Sequence, residues 1–155
     1  MARRSRSPVP SRRRTALRGG RSSAFGTRSE LARSGQPFIA GQRLDDLFVS
    51  TVTLAEIRFG IEAVGDPTRR AELSEWLEHR VRPMFDQRVM EVSEDVMFRW
   101  RLLVEEGRKG GHTFSQPDLI IAATALQHGL TVVTRDTGDY KLTRVPLLNP
   151  WVADT

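Results

Sequence analysis

Helices alternating with short, wholly apolar strands predict an α/β fold with a central, mainly parallel sheet flanked by helices. Three stretches carry that expectation. Leu130 to Thr134 is a continuous apolar run of the kind buried on both faces of a parallel sheet. Leu47-Phe48-Val49-Ser50 is a second short run, and it leads straight into residues of helical period. Arg88 to Val92 reads as a further strand between two helical stretches. At 155 residues the chain is long enough for one domain around one core.

The elements follow in order. Phe38-Ile39-Ala40 reads as the end of a helix. After the Leu47 run, Leu54, Ile57 and Ile61 recur at spacings of three and four, with Thr53 as a candidate N-cap and Glu56 completing a capping box. Gly65-Asp66-Pro67 closes that helix, and the next sets Leu73, Trp76, Leu77 and Val81 on one face. Ser93 caps a helix with Glu94 and Asp95 in its first turn and a stripe of Val96, Trp100 and Leu103. Gly107 to Thr113 reads as a polar, glycine-rich loop. A helix then runs from Pro117 to about His128, with Gly129 as its stop. Val145 to Leu148 is the last strand.

Charge is divided unevenly. Residues 1–35 hold ten arginines against one acid, Glu30, for a net +9, whereas the remaining residues net −4. The basic character therefore belongs to the tail, and the folded part is not a generally basic nucleic-acid binder. Residues 1–35 are rich in Arg, Ser, Gly and Pro and carry no helix or strand period, so disorder is expected there, with a domain over residues 36–155. No cysteine is present, which excludes disulfides and thiolate metal sites and fits a reducing compartment. No apolar run approaches the roughly 20 residues of a membrane span, and no apolar segment follows the arginine-rich start as in a secretory signal.

Three acids stand out by position. Glu56 lies in the first turns of its helix, Asp118 at a helix start followed by apolar residues, and Asp136 just past the carboxyl end of a buried strand, where open α/β sheets bind ligands. Each has a plainer role available: Glu56 as the partner of Thr53, Asp118 as the partner of Ser115, Asp136 as a turn-former before Gly138. Together, carboxylates meeting at one sheet edge would repel unless a cation sat between them, and oxygen ligands without His or Cys suit Mg²⁺ or Mn²⁺. His79, His112 and His128 show no ligand or triad spacing, and Trp76 and Trp100 lie on apolar stripes as core residues.

Leu47 to Glu56, Asp118 to Ala125 and Thr134 to Tyr140 resemble three successive motifs of PIN-domain nucleases, in the family's order. The ending Leu148-Asn149-Pro150-Trp151 is similar to that of VapC-like and FitB-like members. The resemblance implies a PIN-like domain acting as a cytoplasmic endoribonuclease, the toxin of a type II toxin–antitoxin pair, with RNA as substrate. It implies Glu56, Asp118 and Asp136 as catalytic, Mg²⁺- or Mn²⁺-binding acids, with Thr134 and Asp139 in support. It further implies a cognate antitoxin, a homodimer, and operator DNA bound only through the antitoxin complex.

The family typically opens with a central apolar strand ending in Asp-Thr-Asn, whose aspartate is a metal ligand. No such segment is found, so the first strand and first acid are expected to be missing. The composition of residues 1–35 fits a GC-rich coding region read out of frame or a miscalled start. Two other functions compete: an inactive, decayed PIN protein that only binds an antitoxin, and a nucleic-acid binder acting through its arginines.

Overall fold

The computed structural model describes residues 14–17 and 43–149. Among these residues the chain forms a five-stranded sheet in the order β3-β2-β1-β4-β5, parallel throughout. The strands are β1 (Arg14–Leu17), β2 (Leu47–Ser50), β3 (Val89–Met90), β4 (Leu130–Val133) and β5 (Leu147–Leu148). The helices are α1 (Thr51–Glu62), α2 (Pro67–Trp76), the short α3 (Arg82–Met84), α4 (Glu94–Lys109) and α5 (Gln116–Gln127). A π-helical turn, Leu77–Val81, joins α2 to α3 just ahead of Pro83, which has no N–H to continue an α-helix.

The central place in the sheet corrects one expectation. The first strand was expected to be absent, yet β1, inside the arginine-rich segment, fills the middle position; the remainder of residues 1–35 lies outside the described residues. Thr15, Ala16 and Leu17 pair with Leu47, Phe48 and Val49 on one side. Arg14 to Leu17 pair with Leu130 to Val133 on the other. The physical reason is that a ladder is made by backbone N–H and C=O groups, which Arg-Thr-Ala-Leu supplies as well as an apolar run does. Two apolar strands with unpaired inner edges are costly, so an extended segment between them satisfies both at once. The helix end expected at Phe38-Ile39-Ala40 lies outside the described residues.

The pleat of β2 sorts the core. Leu47 and Val49 belong to a cluster with Leu54, Ile61, Leu77 and Phe85, whereas Phe48 packs against the larger cluster built on α4, α5 and β4. Alternate residues of a strand point to opposite faces, so helices cover the sheet on both sides. The larger cluster contains Val96 and Leu103 from α4, Leu119, Ile121, Ala122, Ala123 and Ala125 from α5, Leu130 and Val132 from β4, and Tyr140 and Val145. Trp100 and Trp76 pack at the margins of the two clusters, and the Trp100 indole N–H donates to Gln116 Oε1 at 3.0 Å.

Caps set the helix boundaries. Ser50, not Thr53, caps α1: its Oγ accepts from the Val52 N–H at 3.1 Å. The capping box expected at Thr53 and Glu56 is therefore absent, because the helix begins one turn of residues earlier, directly at the end of β2. Thr53 lies buried inside α1, and its Oγ1 has no hydrogen-bond partner among the described residues. Asp66 caps α2 with Pro67 at the first helical position, and Ser93 caps α4 as expected. Gly107 falls within α4 rather than in a loop; it is buried, and the chain turns only after Lys109. Gly129 ends α5 in the left-handed region at φ 63°, where glycine carries no Cβ penalty.

Candidate active site

Asp118 is the third residue of α5 and is 2% exposed. Pro117 pre-sets the first turn, and a carboxylate there faces the positive end of the helix dipole. Ser115 is the N-cap residue but makes no side-chain cap bond, so Asp118 is not held in a box with it. Its Oδ1 instead accepts a hydrogen bond from the Tyr140 phenol at 3.3 Å. Burying an ionised carboxylate is costly unless charge or hydrogen bonds compensate, and both the helix end and the phenol act in that direction.

Asp136 follows β4 and is exposed. Thr134 is buried at 2% exposure and closes the turn that carries it. The Asp136 N–H donates to Thr134 Oγ1 at 3.1 Å, and the Thr134 hydroxyl reaches the Asp136 carbonyl at 3.4 Å. Thr134 thus supports Asp136 through the backbone and leaves the carboxylate unclaimed by that contact. The Asn149 amide donates to the Arg135 carbonyl at 3.1 Å and ties the end of β5 to the same turn. Asp139 lies on the 3-10 turn Gly138–Thr143 that follows.

Glu56 is exposed on α1, the helix that leaves the carboxyl end of β2 and touches α5. Glu56 and Asp136 are thus solvent-facing and Asp118 is enclosed. Among the described residues, no group of three or more Asp, Glu or His side chains closes into a set that holds a metal ion. His79, His112 and His128 are all solvent-facing, the last two flanking the helix of Asp118 rather than joining it. Beyond β1 the sequence runs Arg18-Gly19-Gly20-Arg21, and the first acid after that strand is Glu30.

Sequence reasoning placed Tyr140 and Asn149 inside the motif stretches but gave neither a role. Tyr140 is fully buried and is the chain's one tyrosine. A polar-tipped aromatic four residues after Asp136, in an otherwise polar turn, was the available sign.

A parallel sheet with helices on both faces defines an α/β domain of the doubly covered, open-sheet class. The PIN domain model matches residues 23–145 of this chain, and the chain belongs to the PIN-domain family. It is 35% identical over 108 residues to Toxin FitB of Neisseria gonorrhoeae, covering 70% of this chain and 78% of that one. It is 32% identical over 124 residues to VapC ribonuclease Y4jK of Sinorhizobium fredii, covering 80% and 89%. The crystal structure of FitAcB from Neisseria gonorrhoeae superposes with a TM-score of 0.77 at 30% identity, over 88% of this chain and 98% of that one.

Proposed function

We propose that this chain is a metal-dependent endoribonuclease, the toxin of a type II toxin–antitoxin pair, which hydrolyses RNA phosphodiesters in the cytoplasm. The observation that carries the reading is the Asp118 carboxylate, enclosed at a helix start within a PIN domain. An acid at 2% exposure is not what a core needs for stability, and perturbing burial of this kind concentrates at functional sites. Kinship to a VapC ribonuclease and to a FitB toxin supports the reaction class.

Glu56, Asp118 and Asp136 would hold Mg²⁺ or Mn²⁺, with Thr134 fixing the turn of Asp136 and Asp139 on the adjoining turn. The ion, when bound, lowers the pKa of its water and neutralises charge on the attacked phosphate. Asp118 contributes a pre-placed carboxyl group, because it sits in the first turn of α5 and its Oδ1 accepts from the Tyr140 hydroxyl. Glu56 and Asp136 contribute solvent-facing carboxylates. The partners of this reading are an RNA substrate, a cognate antitoxin and a second copy of the chain, with operator DNA bound through the antitoxin complex. Among the described residues, no helix is long and apolar enough to cross a membrane.

The absence of an acid directly after β1 favours one second reading, a PIN protein that binds its antitoxin without cutting RNA. RNA cleavage by the purified full chain, with Mg²⁺ and then with chelator, separates the two. Metal-dependent cleavage that falls at least about 100-fold in Asp118→Asn is the expected result, the upper scale for loss of a group that orders a metal. Cleavage untouched by chelator or by the substitution refutes the nuclease reading. A parent chain that binds antitoxin yet leaves RNA intact establishes the second.

A further inference from the structure

We infer that the outward face of α4 is a self-complementary docking surface for a second copy of this chain, with the two helices antiparallel across a two-fold axis beside Arg101 and Leu102. This face seats the second copy named above, and the pairing is independent of the metal-dependent reading.

The inner face of α4 is committed to the core. Val96, Leu103 and Gly107 are buried, and Trp100 and Val104 pack against the larger cluster. At about 3.6 residues per turn, Glu94, Phe98, Leu102, Glu105 and Lys109 fall on the opposite side of the helix. A solvated helix presents polar residues there, and this one does not. Phe98 is 66% exposed and Leu102 48%, with Met97 exposed on their flank. Val92, one residue ahead of the Ser93 cap, is a further exposed apolar side chain beside the edge strand β3. Contiguous apolar surface of this kind marks a site of association.

The charges at the two ends of α4 decide what covers these residues. Its first turn carries Glu94 and Asp95, and its last turn Arg108 and Lys109. Each set suits its own helix end through the dipole, which leaves Phe98 and Leu102 between them unexplained. In an antiparallel pair centred between residues 101 and 102, Glu94 meets Lys109 of the second copy and Asp95 meets its Arg108, and symmetry repeats both pairs. Phe98 of one copy then lies over Arg101 and Glu105 of the other, which are paired at 2.8 Å, and a ring over a guanidinium is favourable. A slip of one turn would set Glu94 and Asp95 opposite Glu105 and Glu106, and a parallel pair would set acid against acid. Charge thus selects one orientation and one register, while apolar area supplies the affinity. Two helix faces about 24 Å long and 10–12 Å wide bury on the order of 500 Å². Even with Met97 and Val92 added, that lies below the roughly 1,200 Å² of a standard complex, so the dimer should form at about 10–100 µM.

Sedimentation equilibrium of the full chain, from about 1 µM to about 0.5 mM, makes the test. The expected result is a monomer–dimer equilibrium that added salt weakens, because the end pairs face solvent. Leu102→Glu should weaken it at least about 10-fold by placing an unpaired charge at the centre. Lys109→Glu should weaken it about 10-fold, and Glu94→Lys added to Lys109→Glu should restore it, since the charges have then changed ends. The chain has no cysteine, so Leu102→Cys carries one thiol beside the axis and should link into a covalent dimer on air oxidation. Glu75→Cys, exposed on α2 at the smaller cluster, should not. A parent that stays monomeric throughout overturns the inference, and loss of antitoxin binding in Leu102→Glu would then assign the face to that partner. A dimer that ignores Leu102→Glu, or that links as readily through Glu75→Cys, places the second copy elsewhere and overturns it as well. Failure of the double charge variant to recover overturns the antiparallel register.

Discussion

Gly107→Ala is expected to loosen the loop that leads into the helix of Asp118. A Cβ on Gly107 would lie 3.0 Å from Phe114 Cδ2, closer still to Cε2, and 3.2 Å from the His112 carbonyl oxygen. The Phe114 ring packs against the larger core cluster and meets the His112 ring edge-on at 4.6 Å, so it cannot simply swing aside. Forcing a methyl into such a contact costs roughly 1–3 kcal/mol. Alanine in a helix regains about 1 kcal/mol over glycine, which leaves a net loss of about 1 kcal/mol. For a domain of this size that lowers Tm by roughly 2–4 °C. Thermal and urea unfolding of four chains make the test: parent, Gly107→Ala, Phe114→Ala and the double variant. With the ring gone, the alanine should become neutral or stabilising, a coupling of about 2 kcal/mol that only groups in contact show. A Gly107→Ala chain as stable as its parent, or one equally destabilised in both backgrounds, would refute the packing argument.

Two further outcomes follow. Ala16→Pro removes an N–H from a strand paired on both sides and should cost roughly 3 kcal/mol through an unpaired buried carbonyl and a ring clash; unchanged urea unfolding would show that β1 is not the middle strand. The Arg108 hydrogen bond and charge, helped by Arg101 and Lys109, hold the Glu105 carboxyl below its ordinary range, against a smaller upward push from burial. A depressed folded value means that the stabilisation is full above the unfolded value and fades as acid passes through the folded one. Melting between pH 7 and pH 3 should therefore fall slightly more steeply in the parent than in Glu105→Gln, and identical slopes would mean that the pairs at 2.8 and 3.1 Å contribute nothing.

Much of the fold is written in local pattern. Within the run Leu130 to Thr134, Leu130–Val133 became β4 because each of these residues is at home on a doubly covered strand. Ser93 became a cap because acids follow it in the first turn and a stripe of Val96, Trp100 and Leu103 follows those. Where two signals compete locally, the pattern is ambiguous. Ser50 and Thr53 both precede helical residues, and only the end of β2 decides that the helix starts at the first of them. Arg88 to Val92 shrank to Val89–Met90 because β3 is an edge strand, paired with β2 alone. β1 was not legible, since its place is set by what lies on either side of it and not by its own hydropathy.

The candidate site was readable as residue types and not as geometry. Asp118 announced itself by an acid at the head of an apolar helix, and its burial agrees with that. That Thr134 acts on the backbone of Asp136, and that Tyr140 reaches Asp118, depends on a turn whose path no periodicity describes.

The middle position of β1 orders the events of folding. Its partners on the two sides stand 32 and 116 residues away in the chain, as Thr15 with Leu47 and Thr15 or Arg14 with strand β4 show. The strand that is synthesised first therefore waits for the one that emerges nearly last before its second edge is covered. Such distant pairing carries a large loop-closure cost and slows the search for the native state. Until β4 arrives, one flank of the nascent sheet offers bare backbone to any extended peptide nearby. The turn that carries Asp136, which directly follows β4, is thereby ordered only with the final stretch of the chain.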